Sequence, residues 1–394
     1  MERPVHAVVL PSGRRLYQAL ARALDGSGPA ICPLSPDLPP LALQALLAAL
    51  RPAAVLTAAG ERRLAYGPRA PAVDGPAAVL IATSGSTGEP KIVELSAAAL
   101  RHSATATLRR LDARSGDRWL CCLPTGHIAG IQVLVRSLVA GTEPVIHERF
   151  DIKAVTAVGG DRAAQHVALV PTQLRRLIDA GADLSAFETI LLGGAAAAPE
   201  LIAAARAAGG RVVITYGMSE TCGGCVYDGV PLDGVSVDVD ADGLIRLAGP
   251  VLLSGYRLRP DLTAAALRGG WFHTGDLGSY ADGVLRVLGR ADDVINTGGE
   301  KVVPGDVERV LATHPAIKDV AVVGRADPEW GQRVVAVVVP AGPASAPDEL
   351  LADLRTWVRR RLPACAAPRE VRLADAIPLL PSGKPDRERL REGG

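Results

Sequence analysis

The sequence has no excess of one charge and no long apolar run, and each shortage excludes a class of protein. Its 43 basic and 42 acidic residues give a net charge of +1, which favours neither nucleic acid nor an anionic membrane as a partner. No run of about 18 apolar residues is present, so we expect no membrane-spanning helix. The N-terminal apolar stretch is too short for a signal peptide, and we therefore expect a cytoplasmic protein.

Cysteine is also scarce, and its spacing excludes a disulfide framework. Six cysteines are scattered over 394 residues. The sequence CGGC at 222–225 suggests a zinc or redox site. However, a zinc site would need a second ligand pair, and a thioredoxin motif would open a helix. Because neither condition is met, we expect these two cysteines to pack in the core.

The order of apolar segments predicts an α/β protein of more than one domain. A chain of 394 residues exceeds the usual limit for a single core. Strand-like and helix-like segments alternate over residues 6–217, which predicts mainly parallel sheets covered by helices. Short strands and glycine turns at 223–289 predict an antiparallel subdomain. We therefore predict a large N-terminal domain, 1–289, and a small mobile α+β domain, 290–394, joined by a hinge at 290–293.

One loop, ATSGSTGEPKIVEL at 82–95, has the composition of a phosphate-binding loop. Glycines allow close approach of the backbone, and hydroxyls, backbone N–H groups and Lys91 suit an anion. The loop is not a Walker motif, because Lys91 follows Pro90 and precedes Ile92. The alternative is an ordinary turn between two strands.

Several motifs, taken together, resemble the acyl-adenylate-forming superfamily of acyl-CoA synthetases, adenylation domains and luciferases. They follow the superfamily's order over roughly residues 80–390: TSGSTGEPK (83–91), LPTGHIAG (123–130), LLGGAAAAP (191–199), YGMSET (216–221), GWFHTGDLG (270–278), LGRADDVINTGGEKV (288–302) and PSGKPDR (381–387). The resemblance implies an AMP-forming acid–thiol ligase with ATP and Mg²⁺ as cofactors and CoA as co-substrate.

The resemblance also implies roles for nucleotide-binding residues. The pyrophosphate end of ATP would be held by Thr83, Ser84, Gly85, Ser86, Thr87, Gly88 and Lys91. The adenine would lie against Gly194, Tyr216 and Gly217, and Ser219 would approach the α-phosphate. The ribose would be bound by Asp276 with Arg290. Mg²⁺, which prefers oxygen ligands, would be held by Glu220 with Thr83.

Further residues would act on the acyl group. Lys384 would reach the substrate carboxylate and α-phosphate, and Asp292 would be the hinge about which the small domain turns. His127 would orient the acyl substrate, in a pocket with Thr172, Gly193, Gly194 and Cys222. Taken singly, Glu220 could be a surface carboxylate, Asp276 a turn former and His127 a structural histidine.

The acyl substrate is indicated by the short region of about 80 residues ahead of the phosphate loop. That shortening, the sequence VPTQL at 170–174 and the cysteine after SET resemble the o-succinylbenzoyl-CoA synthetases of menaquinone biosynthesis. Three alternatives stay open: another aryl or fatty acyl-CoA ligase, an adenylation enzyme that loads a carrier protein, and a nucleotide-binding protein without catalysis. A homo-oligomer is likewise open.

Overall fold

A computed structural model describes residues 3–64, 71–72, 77–84, 90–342, 346–379 and 385–392. The chain divides into two compact units. The first comprises residues 1–194, 201–237 and 247–272, and the second comprises residues 195–200, 238–246 and 273–394. No helix in the described part of the chain is long and apolar enough to cross a membrane.

The first sheet of the first unit is built from the N-terminal strands and helices. Its elements are β1 (Val5–Val9), α1 (Arg14–Asp25), β2 (Ala30–Leu34), α2 (Pro40–Leu50), β3 (Ala54–Thr57), β4 (Gly60–Arg63), β5 (Ala77–Ser84), β6 (Pro90–Ser96) and α3 (Ala97–Arg110). Gly26 ends α1 in the left-handed conformation, and the Ser96 side chain caps α3 by accepting a hydrogen bond from Ala99 N.

The second sheet of this unit continues the alternation. Its elements are β7 (Trp119–Cys121), α4 (Ile128–Ala140), β8 (Val145–Ile146), α5 (Ile152–Gly160), β9 (His166–Leu169), α6 (Pro171–Asp179), β10 (Thr189–Leu192), α7 (Pro199–Ala207), β11 (Val212–Met218), β12 (Gly223–Tyr227) and β13 (Val230–Pro231). The strand order is β13-β12-β11-β10-β9-β7-β8, and β7 to β11 are mutually parallel. Buried aliphatic residues from these strands and helices form the core.

The chain then changes to short strands. These are β14 (Ser236–Val239), β15 (Leu244–Ala248), β16 (Gly255–Tyr256), β17 (Leu267–Arg268), β18 (Trp271–Ala281) and β19 (Val284–Arg290), with helix α8 (Pro260–Ala266). Strand β16 leaves this series and pairs with β6, which gives the first sheet the order β16-β6-β5-β2-β1-β3-β4. The remaining strands form a sheet of order β14-β15-β18-β17, with β19 paired to β18.

The last part of the second unit is an α+β fold with its own core. Its elements are β20 (Ile295–Thr297), β21 (Glu300–Val302), α9 (Pro304–Ala312), β22 (Ile317–Asp327), β23 (Gly331–Pro340), α10 (Pro347–Arg359), β24 (Glu370–Leu373) and α11 (Arg387–Glu392). Val322, Val334 and Val338 face Leu311 and Leu354 in the buried cluster between the sheet and its helices. The predicted α/β fold class, with parallel sheets first and antiparallel strands later, is confirmed.

Candidate active site

The strands that flank the predicted phosphate loop form a regular hairpin. Thr83 on β5 lies opposite Lys91 on β6, and the Thr83 hydroxyl donates a hydrogen bond to the Lys91 carbonyl, 3.2 Å away. Ser84 ends β5. The predicted residues Gly85, Ser86, Thr87 and Gly88 lie outside the described residues. The hairpin therefore fixes where the loop leaves and rejoins the sheet.

Most other predicted residues of the first unit follow strands of the second sheet. His127 comes after β7, Thr172 after β9, Gly193 after β10, and Tyr216 lies near the end of β11. Because these strands are parallel, their carboxyl ends share one edge of the sheet. From β7 the chain passes to β8 on one side and then to β9 on the other, so a topological switch point lies between β7 and β9. Ligands of open α/β sheets bind at such points, and His127 and Thr172 stand on its two sides.

The loop that carries His127 is held by close packing. The Thr125 hydroxyl is 3.0 Å from that of Ser12, and both are buried. Gly130 in α4 lies so near the loop that an added Cβ would be 2.5 Å from the Pro124 carbonyl oxygen. Loss of solvent lowers the pKa of His127, although part of the residue is exposed. The imidazole is thus biased towards its neutral form, in which one ring nitrogen accepts and the other donates.

Glycines surround Thr215 where β10, β11 and β12 meet. A Cβ on Gly193 would lie 2.4 Å from Thr215 Oγ1, and one on Gly224 would lie 2.9 Å from Thr215 Cβ. At Gly217 an added Cβ would lie 2.0 Å from the Gly223 carbonyl oxygen. Gly194 has φ of 85°, a conformation that favours glycine. Of the predicted adenine-side residues, Gly217 therefore occupies a backbone position that a side chain cannot share, and Gly194 occupies one that favours glycine.

The segment after β11 turns sharply and presents Glu220. Residues Ser219–Thr221 form one 3₁₀ turn, and buried Thr221 bonds through its hydroxyl with Met218 N, at 2.9 Å. The Glu220 carbonyl accepts from Leu253 N at 2.8 Å. One Glu220 carboxylate oxygen, Oε1, accepts a hydrogen bond from the Tyr256 hydroxyl at 2.9 Å. The orientation of this carboxylate is therefore set by a tyrosine distant in sequence.

Strand β16 brings Glu220 and the phosphate-loop hairpin together. Tyr256 pairs with Val93 on β6, and Arg257 N donates to the Ile92 carbonyl at 2.8 Å. The 3₁₀ turn of Glu220 also contacts β6. Lys91 is the neighbour of Ile92 in that strand. The structure thus places the strand of Lys91 beside the turn of Glu220 within one unit.

Cys222, which was predicted to lie in the acyl pocket, is buried in the protein core. Its side chain is fully buried, its φ is 53°, and burial raises the pKa of its thiol. Cys225 is also buried, and all six cysteines are free. Among the described residues no group of three or more His, Cys, Asp or Glu side chains could hold a metal ion. The burial of Cys222 and Cys225 agrees with the packing interpretation of the CGGC segment.

In the second unit, Asp276 and Arg290 are directly opposite each other across the β18–β19 pair. Arg290 Nη1 lies 3.1 Å from Asp276 Oδ1, and Nη2 lies 3.2 Å from Asp292 Oδ2. Burial alone would lower the pKa of Arg290, but the carboxylates of Asp276 and Asp292 outweigh it and raise the pKa. The predicted ribose-binding and hinge residues therefore form one charged cluster. Lys384 lies outside the described residues.

Two residues that shape the site were not found by sequence reasoning. Tyr256 and Thr215 stand in no motif that we identified, and Tyr256 is 36 residues from Glu220. A tyrosine at the end of a short edge strand has no local pattern that indicates its partner. The partner of Tyr256 becomes evident from the pairing of β16 with β6, which brings Tyr256 to Glu220.

The chain matches two family descriptions in sequence. It matches "AMP-binding enzyme" over residues 66–252 and "AMP-binding enzyme C-terminal domain" over residues 306–384. A probable 2-succinylbenzoate–CoA ligase of Mycobacterium tuberculosis is 43% identical over 98% of this chain and 97% of the relative. A feruloyl-CoA synthase of Amycolatopsis is 35% identical over 78% of this chain and 67% of the relative.

Solved structures give the same result. The o-succinylbenzoate CoA synthetase of Bacillus subtilis, in complex with its acyl-adenylate intermediate, has a TM-score of 0.85 and 27% identity, covering 100% of this chain and 89% of that one. The same enzyme with ATP and magnesium has a TM-score of 0.83, 26% identity, and coverage of 99% and 89%.

The chain belongs to the family of AMP-binding enzymes. The predicted superfamily is confirmed, and with it the enzyme class, an AMP-forming acyl-CoA synthetase.

Proposed function

We propose that this chain is a 2-succinylbenzoate–CoA ligase. A carboxylate oxygen of the acid attacks the α-phosphorus of ATP, which gives an acyl-adenylate and releases pyrophosphate. The CoA thiolate then attacks the acyl carbonyl, a thioester forms, and AMP leaves. The observation that carries the proposal is the match to the Mycobacterium tuberculosis relative, which is 43% identical and spans nearly the whole of both chains.

Described residues of the first unit suit the nucleotide end of this reaction. Thr83 and Lys91 border the phosphate loop, and Glu220 stands beside their hairpin. Mg²⁺ is held in proteins by one or two carboxylates together with substrate phosphates. Glu220 is a single oriented carboxylate, and the described residues contain no cluster that would hold the ion alone. This donor set fits a cation that arrives with ATP and neutralises its phosphates.

The acyl end is assigned to the switch point of the second sheet. His127 and Thr172 stand on its two sides, and Gly193 and Gly194 follow the neighbouring strand. A neutral His127 would bind the acid by hydrogen bonding. Because Cys222 is buried, we assign it to the wall of the pocket and not to contact with substrate charge.

The remaining roles are proposals from the resemblance. Asp276 with Arg290 would bind the ribose, and Lys384 would stabilise charge on the carboxylate and α-phosphate. Asp292 would be the hinge between domains 1–289 and 290–394. The family match at 306–384 falls within the second of these domains. A cytoplasmic location and a homo-oligomer likewise stay predictions.

The test is carboxylate-dependent exchange of labelled pyrophosphate into ATP, followed by the mass of the thioester formed with CoA. We expect o-succinylbenzoate to support both. A feruloyl-CoA synthase among the relatives makes other aryl acids the second candidate, so ferulate belongs in the same assay. A phosphopantetheinylated carrier protein replaces CoA in a parallel reaction. Absence of exchange with every acid would support a non-catalytic nucleotide-binding protein.

A further inference from the structure

We infer that Ser12 is a positioning residue for His127, because its hydroxyl, paired with that of Thr125, fixes the loop of His127 to the carboxyl edge of the first sheet. The inference rests on the proposed function, in which His127 binds the acid. All three residues lie in the first unit. Ser12 stands ahead of every motif that we identified in the sequence.

The carboxyl ends of three parallel strands lie side by side along one edge of the first sheet. Strand β2 pairs in parallel with β1 on one side and with β5 on the other. Ser12 follows β1, Ser35 follows β2, and Thr83 lies near the end of β5. Thr83 is opposite Lys91 in the next strand. Ser12 and Ser35 therefore stand on the edge of the sheet that carries the predicted phosphate-binding residues Thr83 and Lys91.

The loop of His127 belongs to the second sheet but contacts this edge of the first. The Thr125 hydroxyl is 3.0 Å from the Ser12 hydroxyl, and both residues are buried. An added Cβ on Gly126 would lie 3.7 Å from Ser35 N, so Gly126 stands beside the end of β2 at a distance that a methyl group would fill. Two consecutive residues of the loop therefore lie against the ends of β1 and β2.

His127 follows this contact by two residues, and its backbone is bonded on both sides. His127 N donates to the Pro124 carbonyl at 3.2 Å, and the His127 carbonyl accepts from Ile131 N in α4, also at 3.2 Å. The backbone of His127 is extended, with φ of −115° and ψ of 151°. Thr125 is 4% exposed, whereas His127 is exposed. A buried hydroxyl thus holds the short loop that presents an exposed imidazole.

Loss of the hydroxyl pair should therefore act on His127 through the backbone. A buried hydroxyl that loses its partner is destabilised, so removing either group favours conformations in which the loop moves away from the sheet. His127 would then be less well placed to meet the acid. The β5–β6 pairing of Thr83 with Lys91 does not depend on this contact. Binding of the acid should weaken, and binding of ATP should not.

The main variant is Thr125→Val, which removes the hydroxyl and nearly keeps the shape of the side chain. Its matched control is Thr107→Val on α3, since Thr107 is also buried and its hydroxyl is 2.8 Å from that of Tyr227. Pyrophosphate exchange is measured over a series of o-succinylbenzoate and of ATP concentrations. We expect Thr125→Val to raise the KM for the acid about five- to tenfold, the factor that corresponds to one neutral hydrogen bond, with the KM for ATP unchanged. Thr107→Val should leave both KM values at the wild-type level.

Three further variants distinguish positioning from general damage. Ser12→Ala should raise the KM for the acid as Thr125→Val does, and the double variant should raise it no further, because both changes remove one interaction. Thr125→Ser keeps a hydroxyl and should keep the KM close to that of the wild type. In a His127→Ala background, Thr125→Val should cause no additional rise.

The inference would be overturned by an unchanged KM for the acid in folded Thr125→Val, by equal rises in the KM for both substrates, or by a full additional rise without His127. If Thr125→Val does not fold, Ser12→Ala decides the question, because it removes the same contact from a different element. If ferulate supports exchange in place of o-succinylbenzoate, the same ratios are expected with ferulate. A wild-type enzyme that exchanges with no acid would refute the proposed function, on which the inference rests.

Discussion

The hydrogen bond from Tyr256 to Glu220 leads to the sharpest prediction about the proposed magnesium site. Tyr256→Phe removes the hydroxyl and retains the ring on β16. The bond is 2.9 Å long and ends on a carboxylate oxygen of a half-buried residue. Hydrogen bonds to charged groups contribute about 1.5–3 kcal/mol. Because Glu220 is partly exposed, we take the lower end, which corresponds to about a tenfold change in an equilibrium constant.

We therefore expect the Mg²⁺ concentration for half-maximal pyrophosphate exchange to rise about tenfold in Tyr256→Phe. Loss of a partner that orients a metal ligand typically weakens binding 10- to 100-fold, which agrees with this value. The KM for the carboxylic acid should not change, because the acyl end is assigned to the loops of His127 and Thr172. The assay is exchange measured over a series of Mg²⁺ concentrations at saturating ATP.

Two controls make the result specific. Tyr280→Phe changes a tyrosine that is 38% exposed on the β18–β19 hairpin, and it should leave the Mg²⁺ dependence unaltered. In a Glu220→Gln enzyme, Tyr256→Phe should have no additional effect. An unchanged Mg²⁺ dependence in Tyr256→Phe would refute the assignment of Glu220 as a ligand oriented by Tyr256.

Three further predictions follow from packing, charge and burial. Gly193→Ala should lower the free energy of unfolding by about 1–3 kcal/mol, because the new Cβ would meet the Thr215 hydroxyl, and a second substitution, Thr215→Ala, should restore the lost stability. Gly217→Ala should not be rescued in this way, because its Cβ would meet a backbone carbonyl. The midpoints of urea unfolding measure these changes, and a Thr215→Ala substitution that restores no stability to the Gly193→Ala protein would contradict the prediction. Lys384→Ala should lower pyrophosphate exchange roughly 10²–10³-fold and spare thioester formation from preformed acyl-adenylate. Equal losses in the two half-reactions would refute the proposal that the small domain takes a different orientation for each of them. Burial lowers the pKa of His166, so the folded state disfavours the charged imidazole and the unfolded state binds the proton more readily. The free energy of unfolding should therefore fall as pH drops below 6.5, by at most about 1.4 kcal/mol per pH unit. His166→Gln should flatten that slope in urea unfolding.

Much of the fold could be predicted because its signals are local. Alternating apolar segments marked most strands from β1 to β11, but not the polar strand β4 or the two-residue strand β8. Ser96 lies at the start of α3 and Gly26 at the end of α1. These features depend on residues a few positions apart. The motifs of the superfamily are likewise contiguous, which is why His127 and Glu220 could be named as candidates from the sequence.

The contacts that orient those candidates could not be predicted in the same way. Tyr256 reaches Glu220 through a two-residue strand, and Ser12 reaches Thr125 in the loop of His127 across 113 positions of the sequence. Each pairing depends on where the folded chain returns, and no local spacing records that.

The return of β16 to the edge of β6 also bears on how the protein is made. Glu94 and Arg257, which meet at this edge, are 163 residues apart in sequence. At the ribosome's pace of about 5–20 residues per second, β6 waits about 10–30 s for its neighbour. During that interval its open edge can pair with other chains. A nascent chain shorter than 256 residues therefore keeps this edge unpaired by β16, and it has no Tyr256 to orient Glu220.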